Sequence, residues 1–486
     1  MLVYVLLATP LIASLLLLCM RRQISWRPFI EAIAAIAALI ECVAGLLITD
    51  QVLRHHHYNV TSYFSIDALS ALILAITVIA GFITTLHLIG YLRAEMHKDM
   101  IGMKRLHQCY LLTQLFFVSM FVATITTSPI IMWLFIEATS LSTVFLISFF
   151  SRSSDIEAGW KYLIINSIGL LLGLLGTLLF LSQVPHGSLT TWGSIMAAAH
   201  HMNSYIVKAA FVLILVGYGT KMGLVPMHTW RPDAYNKAPL PIAGMLSGPL
   251  LNIAFLAILR FKLITDIAVG SGFVQALFIF FGVLSIAVPA LIIYSQTNYK
   301  RALAYSSTEQ AGIMFLGIAF GGVGVLGSLL QMIYHSLCKV PLFLLSSNIA
   351  VHYSSSKIKE VTGVLRTMPY TATLYIISFL GLLGLPPFGM FISELYIILA
   401  GFSHYAILTL VVIALMVIVF VGFARQILSM MFGEPPKDIE RANFSLWVVA
   451  PVTVLIALFF VLSVYLPNGL QTLLHESVRT LGRRWI

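Results

Sequence analysis

Lys221, Glu137 and Glu394 each sit inside an apolar stretch of membrane-spanning length, in a chain of 486 residues of which only 9% are charged. A charge at bilayer depth is costly, so it is usually paired, turned inward and part of an ion or proton route. Glu137 lies in Ser128-Pro-Ile-Ile-Met-Trp-Leu-Phe-Ile-Glu-Ala-Thr-Ser140. Eight residues past Pro129 is about 12 Å of helix, near mid-membrane. A carboxylate there binds a proton, pairs with a cation, or does each in turn; the alternative is a fixed interhelical hydrogen bond. Lys221 is its natural partner, because parting a buried lysine from a carboxylate releases a proton and joining them recaptures one. His335 and Lys339, in Met332-Ile-Tyr-His335-Ser-Leu-Cys-Lys339-Val-Pro341, are four apart and share one helix face. Histidine titrates near neutral pH and passes protons at either ring nitrogen. His228, just after Pro226, either feeds Lys221 or caps a broken helix. Glu394 follows Pro386-Pro387 and is either an exit group or a carboxylate satisfying freed backbone donors. Glu309 and Glu41 are weaker candidates, Asp67 is placed to favour a helix N-terminus, and the run His55, His56, His57 reads as solvated more readily than as a metal site.

These residues need a membrane scaffold, and composition supplies one. The chain is 59% hydrophobic, far too apolar for a soluble protein of this size. The fold class is all-α, a polytopic membrane protein of about fourteen spans: 2–20, 29–49, 66–91, 107–126, 130–150, 161–183, 205–224, 240–259, 272–294, 302–320, 325–350, 370–400, 405–425 and 445–465. No loop is long enough for a nucleotide-binding or redox head. The net charge of +10 sits mostly at span ends and does not point to nucleic acid. Cys19, Cys42, Cys109 and Cys338 show no metal-ligand spacing or disulfide framework, and no cofactor or metal is expected. Arg21 and Arg22 after the first apolar run mark it as a retained span. Loops carrying Arg93, Lys98, Lys104, Arg105, Lys300 and Arg301 alternate with loops poor in Lys and Arg, which puts the basic set in the cytoplasm and both termini outside. Arg479, Arg483 and Arg484 run against that rule, but Leu470, Leu473, Leu474, Leu481 and Trp485 read as a surface-lying amphipathic helix.

Two spans look broken. One runs through Gly217-Tyr-Gly219-Thr-Lys221-Met-Gly223 to Pro226, the other through Gly381-Leu-Leu-Gly384-Leu-Pro386-Pro387-Phe-Gly389. Matched interruptions in two halves point to an inverted-repeat transporter. The expected organisation is N-terminal helices at 1–106, a first repeat at 107–259, a second at 260–425, and a C-terminal helix with amphipathic tail at 426–486.

The stretch Lys221-Met-Gly-Leu-Val-Pro-Met-His-Thr-Trp-Arg-Pro-Asp-Ala-Tyr-Asn-Lys-Ala-Pro239 resembles the signature of antiporter-like subunits of respiratory complex I, shared with multisubunit sodium/proton antiporters and membrane-bound hydrogenases. Lys300-Arg-Ala-Leu-Ala-Tyr-Ser-Ser307, His335-x-x-x-Lys339, Leu385-Pro-Pro-Phe-Gly-Met-Phe-Ile-Ser-Glu394 and Phe64-Ser-Ile-Asp67 look like the same family, over roughly residues 60–430. Trp133-Leu-Phe-Ile-Glu137, Glu157-Ala-Gly-Trp-Lys161-Tyr162 and Ala304-Tyr-Ser-Ser-Thr-Glu309 are most similar to the F-type membrane subunit of hydrogenase-4 and formate hydrogenlyase-like complexes. The resemblance implies fourteen core helices, two inverted five-helix repeats and a central hydrophilic axis. It implies a proton relay of Glu137, Lys221, Lys339 and Glu394 with His335 nearby, and His228, Asn252, Glu309 and Lys161 as secondary positions. Two departures stand out: Asn252 where many complex I members have a lysine, and Arg231 where an apolar residue is usual.

The expected function is therefore proton translocation as a non-redox, antiporter-like subunit of a larger oxidoreductase complex in the cell inner membrane. Its expected partners are other membrane subunits, a peripheral redox or uptake module, the lipid bilayer, and H+ or Na+. The alternatives are a Na+/H+ antiporter subunit or the ion-driven partner of a solute-uptake complex. A haem protein would need facing histidines, and His87 and His335 have no clear facing partner.

Overall fold

The computed structural model describes residues 1–20, 23–185, 190–442 and 446–481; Arg21, Arg22, Arg483, Arg484 and Trp485 lie outside them. Helices come in the order α1 (Leu2–Cys19), α2 (Arg27–His55), α3 (Ala68–His97), α4 (Met103–Ile125), α5 (Pro129–Ile147), α6 (Ser153–Leu181), α7 (Trp192–Ala198), α8 (Ser204–Met222), α9 (Trp230–Lys237) and α10 (Leu240–Ser247). They continue with α11 (Pro249–Val269), α12 (Ser271–Ile292), α13 (Tyr299–Phe320), α14 (Val323–Tyr353), α15 (Val364–Thr367), α16 (Pro369–Leu382), α17 (Gly389–His404), α18 (Ala406–Met431), α19 (Leu446–Val464) and α20 (Asn468–Leu481). Among the described residues the strands are one antiparallel pair, Tyr58–Asn59 with Ser65–Ile66. The chain is an all-α polytopic membrane protein. Among the described residues, twelve helical segments are long and apolar enough to cross a bilayer; adding α13 and the α16–α17 pair brings the crossings to the fourteen expected.

Polar residues at loop ends set where the helices begin. Ser128 accepts from the Ile131 N–H with Pro129 in the first turn of α5, Asn203 caps α8 and Asn298 caps α13, each satisfying an otherwise orphaned backbone donor. Asp67 caps α3 through Ser70 and also takes a two-pronged bond from Arg260 on α11, at 2.6 and 2.8 Å. Lys262 pairs with Asp266 one turn on, at 2.6 Å. These partners let α11 run to Val269, ten residues past the end that the two basic side chains mark in the sequence.

Burial is uneven, as bilayer placement requires. The most apolar stretches of α10–α11 and of α14 are buried throughout, whereas α1, α6, α18 and α19 leave most of theirs at the periphery, where lipid would lie. The two central helices carry Asn252, His335 and Lys339. Small residues let α6 and α8 approach closely: a Cβ at Gly217 would come within 2.5 Å of the Gly173 nitrogen. At the other end of the chain, α20 buries Leu473, Leu474 and Leu481.

Both expected breaks are present. Helix α8 stops at Met222, Gly223 turns left-handed at φ +72°, and a 3-10 turn at Met227–Thr229 leads into α9. Helix α16 stops at Leu382, Gly384 has φ +64°, and α17 starts at Gly389. A charged side chain from the following helix covers each left-handed glycine. A Cβ at Gly223 would strike the Arg231 guanidinium, and one at Gly384 would strike the Glu394 carboxylate. Glycine is needed at both points for backbone angle and for space.

Candidate functional site

The first cluster joins α5, α6 and α8. Lys221, 2% exposed, lies in the last turn of α8, where the helix dipole favours a cation. Its Nζ donates to Ser140 Oγ at 2.7 Å and Tyr162 OH at 2.9 Å, and the tyrosine hydroxyl is tied to Thr143 at 2.7 Å. Ser140 is three residues from Glu137, so α5 presents both on adjoining positions of one face. Glu137 itself is half-buried; one carboxylate oxygen accepts from Ser167 Oγ at 2.6 Å and the other has no partner among the described residues. The expected Glu137–Lys221 pair is thus not a direct ion pair. Lys221 spends its donors on hydroxyls, and these can donate or accept, so they suit the ammonium and the neutral amine alike.

The polar groups after the first break and on α11 and α14 include several without partners among the described residues. His228, 8% exposed, stands beside the Tyr305 ring, its Nδ1 without a partner among the described residues. Arg231 is wholly buried; it donates to the Met222 carbonyl and, at 3.3 Å, to Thr308 Oγ1, while its Nε has no partner among the described residues. Asn252 donates to Ser336 Oγ at 2.8 Å, and its carbonyl oxygen has no partner among the described residues. One residue before Ser336, His335 is wholly buried, with neither ring nitrogen bonded among the described residues. Buried polar groups without partners are uncommon and ask for an explanation such as ordered water or a transport role.

The second cluster joins α13, α14 and α17. Lys339, wholly buried, donates to the Leu303 carbonyl at 2.7 Å and to Ser306 Oγ. Ser306, Glu309, Gln310 and Glu394 all line one cavity of about 180 Å³. Glu394 accepts from Gln331 Nε2 at 3.2 Å, Gln331 also donates to Gln310, and Ser393 donates back to Gln331. Glu394 therefore sits after the α16–α17 break with its carboxylate folded over Gly384 and held by glutamine. Neither Lys221 nor Lys339 forms an ion pair with a described carboxylate.

The remaining candidates fall elsewhere. Lys161 is exposed, pairing with Glu157 at 2.7 Å and Asp233 at 3.7 Å, outside the buried axis. Glu41 is buried on α2. His56 touches Glu476 on α20. His87 is occupied at both ring nitrogens, by the Val448 carbonyl and Ser347 Oγ, each at 2.8 Å. The sequence named neither the hydroxyls that hold the two lysines nor the Gln310–Gln331 clamp; Ser-Ser-Thr-Glu309-Gln310 was the one visible hint of a polar run inside a span.

Comparison with known proteins defines the class. Residues 126–421 match the model of the NADH:quinone oxidoreductase/Mrp antiporter membrane family, and the chain belongs to that family. It is 31% identical over 412 residues to the hydrogenase-4 component F homolog of Methylacidiphilum infernorum, covering 84% of this chain and 86% of that one. In fold it is similar to a chain of the archaeal membrane-bound sulfane sulfur reductase, with TM-score 0.85, 22% identity and coverage of 99% and 97%. It is likewise similar to a chain of the Mrp complex of Dietzia sp. DQ12-45-1b, with TM-score 0.84, 19% identity and coverage of 99% and 96%.

Proposed function

We propose that this chain moves protons across the cell inner membrane along the relay Glu137, Lys221, the Asn252–His335 axis, Lys339 and Glu394. The carrying observation is that two fully buried lysines are held by hydroxyl and carbonyl groups and not by carboxylates. A static structural lysine at that depth calls for a paired anion, since an unpaired buried charge costs several kcal/mol. A lysine among amphoteric hydroxyls can lose and regain a proton without losing its hydrogen bonds. The matched breaks, each a left-handed glycine covered by a charged side chain, support reading 107–259 and 260–425 as inverted repeats, with one lysine cluster in each. The loop charges support both termini on the outer side.

The likeness to a hydrogenase-4 component F homolog, and to chains from multisubunit membrane complexes, supports a role beside other membrane subunits that supply the driving force. Purifying the intact assembly and identifying its subunits tests this: a nickel-iron large subunit supports a hydrogenase-4-type complex, and a set of small antiporter subunits supports the Na+/H+ alternative. For the relay, Glu137→Gln and Lys221→Met are each expected to abolish proton flux in proteoliposomes of the assembled complex. Near-normal flux in either variant overturns the assignment.

A further inference from the structure

Arg231 touches both lysine clusters. It is wholly buried at the start of α9, just past the first break. One guanidinium nitrogen donates to the carbonyl of Met222, the residue after Lys221, and another donates at 3.3 Å to Thr308 Oγ1 on α13. Thr308 is two residues from Ser306, which holds Lys339, and next to Glu309 in the wall of the 180 Å³ cavity. The Arg231 Cζ also lies 5.7 Å from the ring centroids of both Trp230 and Tyr235. Trp230 packs edge-on against Tyr162, whose hydroxyl holds Lys221. Tyr235 packs edge-on against Phe343, the ring beside the Lys339 ammonium. Direct contacts thus run from one lysine to the other through this single side chain.

The charge at this joint is unpaired and permanent. Among the described residues no carboxylate is in ion-pair contact with Arg231, and its Nε has no partner. Its only compensation is the negative end of the α8 dipole at Met222 and the two aromatic faces. Lys221, Lys339 and His335 can each shed their charge, whereas arginine cannot. Covering Gly223 and bonding the Met222 carbonyl needs a donor and not a charge, and a neutral amide would do both without burying an ion. The guanidinium acts electrostatically on His228, His335 and Lys339, and the low dielectric of the interior carries that field well.

We propose that Arg231 is a fixed charge barrier between the two halves, which holds back an excess proton or a sodium ion until the second half carries a negative charge. A free cation arriving at the joint is repelled by the guanidinium, as at other pores guarded by an arginine. Glu309 and Glu394 line one cavity on the far side of Thr308. While both carboxyls hold protons the barrier stands. Once Glu394 releases its proton outward, the carboxylate offsets the guanidinium field, and the next proton crosses from Lys221 to Lys339. Each crossing waits for a release, so the two clusters never discharge together. Arg231 neither takes nor gives a proton and acts only by its field.

Because the barrier rests on the proposed relay, Lys221→Met serves as the control. Proton flux under an imposed membrane potential is compared in proteoliposomes holding equal amounts of the assembled complex, with assembly checked by native gel. The variants are Arg231→Met, Arg231→Gln, Arg231→Lys, Lys221→Met and the double variant of Arg231→Met with Lys221→Met. Arg231→Met is expected to raise flux about tenfold or more by removing the charge. Arg231→Gln, which keeps a donor for the Met222 carbonyl, gives the same reading if Arg231→Met assembles poorly. Arg231→Lys keeps a charge but loses the fork, and restores the block to within about twofold of wild type. The double variant falls to the rate of Lys221→Met alone, since the extra flux still uses the relay. Flux at or below wild type in Arg231→Met and Arg231→Gln overturns the barrier and leaves the relay. So does an excess that Lys221→Met fails to stop or that Arg231→Lys shares. Wild-type flux in Lys221→Met alone overturns the relay itself.

Discussion

Replacing Gly384 by alanine isolates what the second helix break does for Glu394. At φ +64° an L side chain costs about 1–2 kcal/mol of backbone strain. The added Cβ would also land on the Glu394 carboxylate, which must then leave Gln331 Nε2, 3.2 Å away. A hydrogen bond to a charged group contributes about 1.5–3 kcal/mol. If that bond holds the carboxylate where protons reach it, its loss slows transport about 10- to 100-fold. Gly270→Ala is the control: its φ of +96° is equally unsuited to alanine, yet a Cβ there meets nothing within 4 Å. Both variants are expected to lower the thermal midpoint of the detergent-solubilised complex, while only Gly384→Ala loses proton flux in proteoliposomes. Flux within twofold of wild type in Gly384→Ala, with stability reduced as in Gly270→Ala, would refute the reasoning.

Asn252→Leu removes the bond to Ser336 and the free carbonyl oxygen that can hold water; flux should fall several-fold with assembly intact, and unchanged flux in a pH-jump assay would place the route elsewhere. Asp67→Asn weakens the bond to Arg260 across α3 and α11 and should cost about 1–2 kcal/mol, read as a lower thermal midpoint at pH 7. Burial pushes the Asp67 carboxyl up, but the Arg260 guanidinium and Ser70 outweigh it and hold the group below the usual carboxylate range. A depressed carboxylate stabilises fully above its unfolded value, about pH 4, and that contribution is lost as pH falls through the folded value. The wild type should therefore lose stability below about pH 4 more steeply than Asp67→Asn; equal slopes would remove Asp67 from the account.

The scaffold was legible because bilayer physics writes it in plain terms. Apolar runs of span length gave the crossings, and Gly223, Gly384 and Pro386-Pro387 gave the breaks, since few other residues interrupt a membrane helix. The deep charges were legible for the same reason. Their partners were not. Lys221 and Glu137 looked like a pair from charge alone, but Ser140 and Tyr162 stand closer, and only the packing of α5 and α6 on α8 decides that. Lys339 is held by Leu303 and Ser306 from another helix, which no spacing within its own segment reveals. Arg260 read as a loop charge because Asp67, 193 residues away, is its partner.

The central claim is that the two lysine clusters act in series on one route. Proton flux under an imposed membrane potential, measured for Lys221→Met, Glu394→Gln and the double variant in proteoliposomes with equal amounts of assembled complex, tests it most directly. A single series route predicts that either substitution alone brings flux to the leak rate and that the double variant is no worse. Two parallel routes would instead leave each single variant with a substantial share of wild-type flux and only the double variant silent, and that result would contradict the account.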